Sequence, residues 1–119
     1  MMHVPDCWVV IKTINWCPAA GTVPCFYKVL AGWNGVSHWR LNSGITRAEI
    51  SEDRSGWLFH GASGAVYLCD ARGYRLNRTT SEIWHGIACR ALTPDVHVEI
   101  MPEHTLWHEL DYELDSEQL

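Results

Sequence analysis

The chain has 119 residues, the size of one domain, and with 47% hydrophobic and 19% charged residues it can bury a core, so it is not a disordered chain. Its uninterrupted apolar runs stop at five residues, Cys7 to Ile11 and Ala65 to Cys69, where a bilayer-spanning helix needs about 20. The net charge of −5 is divided unevenly: residues 1–90 hold all nine Lys and Arg against six acids, a net of +3, whereas residues 91–119 hold eight acids and no Lys or Arg, a net of −8. Phosphate contacts require Lys and Arg, so the anionic end argues against direct nucleic-acid binding.

No basic start followed by a long apolar stretch opens the sequence; the first Lys or Arg is Lys12, after Pro5 and Asp6. The chain is therefore expected in the cytoplasm. Its five cysteines (Cys7, Cys17, Cys25, Cys69 and Cys89) are odd in number and not closely paired. They read as reduced thiols, mostly buried, rather than as disulfides or a zinc site.

In chain order, the β-branched run over residues 8–14 predicts a strand, and Asn15 to Pro24, with two prolines and a glycine, a loop. Residues 25–33 predict a second strand. Asn34-Gly35 is expected to supply the two positive φ angles of a tight hairpin turn, with Val36 to Leu41 as the returning strand. Ile45 to Ile50 is a fourth strand, broken by SEDRSG. Trp57 to His60 and Ala65 to Asp70 flank a GASG hairpin loop. Strands at this spacing indicate an antiparallel meander.

The period then changes. Thr79 is expected to cap a helix, with Glu82 three residues on. Ile83, Trp84, Ile87, Ala88, Ala91 and Leu92 form its apolar stripe, and Thr93-Pro94 ends it. Val96, Val98 and Ile100 alternate as a last strand. The expected class is α+β: an antiparallel β-meander of about five to seven strands with one helix packed on the sheet, as a single domain over 1–102. An acidic C-terminal segment, 103–119, follows. There Leu106, Leu110 and Leu114 suit a helix stripe, and the same leucines with Tyr112 suit a strand face.

Several side-chain sets could carry chemistry. His104 and His108, in HTLWHE, are spaced as metal ligands on a helix, but Thr105 and Trp107 stand where zinc-protease patterns need Glu. His85 and Cys89 are likewise four apart; packing is the expected role of the thiol. GASG could cradle an anion, yet it lies between two strands and reads as a plain turn. His38 and His60, on strands expected to be neighbours, could form an acid–base pair, with no nucleophile indicated. Arg72, Arg75 and Arg78 surround Tyr74 and could take a phosphate, partner acids or the protein's own acidic end. Of seven tryptophans, Trp8, Trp57 and Trp84 sit among apolar neighbours, whereas Trp16, Trp33, Trp39 and Trp107 lie near loops or polar residues, where tryptophan serves protein contacts.

The acids Glu109, Asp111, Glu113, Asp115 and Glu117 occupy every second position. In an extended chain such side chains repeat at about 6.6 Å, roughly every second phosphate level of a DNA strand at about 3.4 Å per step. That array could stand in for a nucleic-acid backbone on a basic protein.

YKVLAGW (27–33), SHWRLNSGI (37–45) and WLFHGASGAVYLC (57–69) resemble a family of small bacteriophage-encoded proteins without assigned activity, over about residues 25–70. The resemblance implies a viral setting and carries over no functional residue. From these residues together, a non-enzymatic, phage-encoded binding protein is expected. It would inhibit a host nucleic-acid-binding protein or CRISPR complex by acidic occlusion of its basic site. Trp107, Glu109, Asp111, Tyr112, Glu113, Asp115 and Glu117 would meet the partner, with no cofactor and no metal. The alternatives are a small His- or metal-dependent hydrolase or nuclease, using His38 and His60 or His104 and His108, and a self-associating phage accessory protein.

Overall fold

The β-branched segments pair into two sheets rather than one. A computed structural model describes residues 2–15, 25–91 and 95–112. Its elements are β1 (Met2–His3), β2 (Cys7–Asn15), β3 (Cys25–Gly32), β4 (Trp39–Leu41), β5 (Ile45–Ile50), β6 (Gly56–Gly61), β7 (Val66–Asp70), α1 (Arg78–Arg90) and β8 (Val96–Ile100). One sheet has the order β1-β7-β6-β5 and the other β4-β3-β2-β8. The α+β class is as expected; the single meander is not.

The division follows from both faces of β2 and β3 being apolar. Trp8, Val10, Val29 and Ala31 face the other sheet and bury against Ile45, Ala48, Phe59, Tyr67 and Cys69. Val9, Ile11 and Leu30 point the opposite way, under Ile83, Trp84 and Ile87 of α1. A strand buried on both faces lies in a middle layer, so the molecule stacks sheet, sheet and helix. The register places Val10 opposite Val29 and Ile11 opposite Lys28 across β2–β3, and Ala48 opposite Phe59 across β5–β6.

Three local expectations are corrected. Met2–His3 forms β1, parallel to β7, so the sheets are not wholly antiparallel. Between β3 and β4 only Gly35 takes a positive φ, +78°, and the connection is wider than a two-residue turn, closed by Trp33 N–H donating to the His38 carbonyl at 3.4 Å. Asn77, not Thr79, caps α1. The Thr80 N–H donates to Asn77 Oδ1 at 2.8 Å, and the Asn77 N–H to Thr80 Oγ1 at 2.8 Å. Asn is the stronger cap, and the Thr80 hydroxyl, buried there, does the reciprocal work foreseen for Glu82.

The layers are also tied by polar contacts. Trp8 Nε1 donates to the Asp70 carbonyl at 2.7 Å, linking β2 to the end of β7. The Tyr74 hydroxyl donates to the Met101 carbonyl at 2.5 Å and accepts from the Val10 N–H at 3.2 Å. No helix among the described residues is long and apolar enough to cross a membrane.

Candidate functional site: the acidic C-terminal end

After β8 the chain turns back under the sandwich. The Met101 N–H donates to the Val10 carbonyl at 2.9 Å, and Thr105 closes a turn onto the Pro102 carbonyl through both its N–H and its hydroxyl, at 3.2 and 2.7 Å. Residues 107–109 form one 3-10 turn, and Asp111 and Tyr112 follow it. Over residues 103–112 the chain is thus neither the helix nor the strand that its leucine spacing allowed.

Trp107 is fully buried. Its ring meets Trp8, Phe59 and Tyr74 at centroid distances of 5.9, 5.8 and 5.9 Å. It is core, not a partner anchor, which corrects the expectation placed on it: a large aromatic in a polar run fills the gap between two sheets. Tyr112 is half-buried and also turns inward. Its hydroxyl donates to the Trp107 carbonyl at 2.7 Å, and its ring stands edge-on to Tyr27 at 5.4 Å. Burial, then the neighbouring Tyr27, pushes the Tyr112 hydroxyl pKa up. Together Trp107 and Tyr112 clasp the root of the acidic segment to the fold.

Glu103, Glu109 and Asp111 are exposed around that clasp. Glu113, Asp115 and Glu117 lie outside the described residues. The arginines before α1 are engaged locally: Arg72 pairs with Asp70 at 3.4 Å, and Arg75 donates to the Arg72 carbonyl at 3.4 Å. The Arg72 backbone N–H, and then its guanidinium, hold the Asp70 carboxyl below the usual carboxylate range. Among the described residues, no acid of the C-terminal segment forms an ion pair with Arg72, Arg75 or Arg78.

The remaining candidate sets are not assembled as the sequence suggested. His38 precedes β4 in one sheet and lies tilted against Trp33, ring centroids 4.9 Å apart, whereas His60 lies in β6 of the other sheet, 3.7 Å from Glu49 and 3.2 Å from Arg47. They are not on neighbouring strands. His104 sits in a turn while His108 stacks on Trp57 at 5.4 Å, so the two share no helix face. Among the described residues no group of three His, Cys, Asp or Glu side chains could hold a metal ion. His85 and Cys89 do share α1, but both are exposed, so Cys89 is not packed as expected. GASG is a hairpin turn, closed by the Gly61 N–H donating to the Ala65 carbonyl at 2.9 Å.

Of the tryptophans, Trp8 is core, Trp33, Trp57 and Trp84 are half-buried, and Trp39 is 39% exposed; Trp16 lies outside the described residues. Among the described cysteines, Cys7 and Cys69 are buried, Cys25 is half-buried and Cys89 is exposed; Cys17 lies outside the described residues. Sequence reading missed the inward clasp of Trp107 and Tyr112. Their spacing of five matches no helix or strand period, so only the packing reveals it.

Compared with known proteins, the chain matches no protein-family model, no curated protein and no solved structure.

Proposed function

We propose that this protein is a non-enzymatic binding protein whose acidic C-terminal end occupies a basic, nucleic-acid-binding surface on another protein. The contact set is Glu109, Asp111, Glu113, Asp115 and Glu117, with Trp107 withdrawn from it and Tyr112 serving as the root. Charge partition carries the proposal: no Lys or Arg follows residue 90, and the exposed acids Glu109 and Asp111 stand where the chain leaves the clasp. A rooted anionic segment loses less freedom on docking than a segment hung on a loose linker. The resemblance of residues 25–70 to virus-encoded proteins points the proposal at a host target, of which a CRISPR effector complex is one example.

The test is capture from nuclease-treated bacterial lysate by the native chain and by a variant carrying E109Q, D111N, E113Q, D115N and E117Q. Protein held by the native chain, released by moderate salt or by added duplex DNA, and not held by the variant is the expected result. An identical captured set with both chains would remove the acidic end from the function.

A further inference from the structure

The outer face of the β4-β3-β2-β8 sheet is only partly covered by α1. Ile83, Trp84 and Ile87 lie over Val9, Ile11 and Leu30. The helix then ends at Arg90, while the sheet continues to Phe26, 48% exposed, and Leu41, 36% exposed. Between helix end and sheet is an open cavity of about 320 Å³, with Ile11 on its floor and Ile87, Val98, Phe26 and Leu41 around it. That volume is at the small end of the roughly 300–1,000 Å³ of small-molecule sites.

Among the described residues, two charged side chains line this cavity, Lys28 of β3 and Arg90 of α1, and both are cations. Among the described residues no acid lines it and neither cation is in an ion pair. A cation beside apolar surface without a carboxylate partner is matched by a ligand that brings both an apolar body and an anion. The recess matters too. Ile11 lines the cavity between the helix end and β8, a concavity that a narrow alkyl chain fills and a flat membrane surface does not.

We infer that the cavity between α1 and the β3–β4 edge binds a free medium-chain fatty carboxylate, its alkyl chain against Ile11, Ile87 and Val98 and its carboxylate between Lys28 and Arg90. This site is separate from the acidic end and does not depend on the function proposed for it.

Calorimetric titration of the full chain with octanoate, octanol and octylamine tests it. Octanoate is expected to bind one per chain, octanol about tenfold more weakly, and octylamine not measurably. The K28Q/R90Q variant should bind octanoate no better than octanol. Leu41→Trp, which fills the exposed mouth without entering the core, should abolish binding of both, with circular dichroism confirming that each variant is folded. Equal binding of octylamine and octanoate, unchanged binding by K28Q/R90Q, or no binding of octanoate by the native chain would overturn the inference. So would sedimentation of the protein with phosphatidylglycerol vesicles, which assigns the face to a membrane. Tighter binding of an acidic, leucine-bearing peptide than of octanoate would overturn it in favour of a protein partner.

Discussion

The Tyr74 hydroxyl is a single oxygen joining the middle strand β2 to the point where the C-terminal segment leaves β8, and Tyr74→Phe removes it while keeping the ring. Two hydrogen bonds are lost, to the Met101 carbonyl and from the Val10 N–H. Val10 is fully buried, so its N–H is left without a partner at a cost of about 1–3 kcal/mol; the bond to Met101 adds about 1 kcal/mol. The ring still packs on Trp8 at 4.7 Å, so little cavity opens. The sum is about 2.5 kcal/mol. With an unfolding entropy of about 2 cal/mol/K per residue over this chain, the melting temperature should fall by about 10 °C. Urea unfolding followed by tryptophan fluorescence measures it, and a loss below about 0.5 kcal/mol would refute this account of the hydroxyl. Alkaline pH offers a second check. Burial, the largest cause, pushes the Tyr74 pKa up to about 12, whereas an unfolded tyrosine titrates near 10. Between those values the unfolded chain gives up the proton first. The stability is therefore intact below about pH 10 and falls as pH rises toward 12. Phenylalanine at position 74 should make that decline shallower.

Three further outcomes are expected. A Cβ on Gly56 would stand 2.0 Å from the Cys69 carbonyl oxygen, so Gly56→Ala should cost about 2–3 kcal/mol in denaturant unfolding, because strand backbone must move. A Cβ on Gly61 would stand 3.2 Å from the Ser43 hydroxyl, with the Ala65 carbonyl oxygen at 3.4 Å in ordinary contact, so Gly61→Ala should cost much less. Asn77→Ala should cost about 1 kcal/mol by removing the α1 cap, and Asn77→Asp should retain most of that stability; thermal unfolding of the two variants compares them. In a thiol-reagent time course on native protein, exposed Cys89 should react before buried Cys7 and Cys69. Cys69, whose thiol pKa burial pushes up, should react only on unfolding, and equal rates for Cys89 and Cys69 would contradict the core described here.

Strands β5 to β8 were legible in the sequence almost residue for residue, because SEDRSG, GASG and the alternation over 96–100 punctuate them locally. Their assignment to two sheets was not. It depends on β2 and β3 having two apolar faces, and a short apolar run looks alike in a half-buried and a fully buried strand. β1 has only two residues, too few for any period, and gains its place by pairing with β7. The acidic array of the candidate site was plain from composition. The role of Trp107 was not, since its polar neighbours describe the turn around it rather than the rings of Trp8 and Phe59 that receive it. The fatty-carboxylate cavity was hidden for a related reason. Phe26, Lys28 and Leu41 become one wall only when β3 and β4 pair and α1 ends short of them.

Because the Trp107 indole plugs the space between the two sheets, where the end of the chain is cut decides what is lost. A truncation at Met101 would strip out a keystone of the sandwich together with the acids, and its loss of binding would report unfolding. Cutting after Tyr112 leaves the plug and its latch in position and removes Glu113, Asp115 and Glu117 while Glu109 and Asp111 stay.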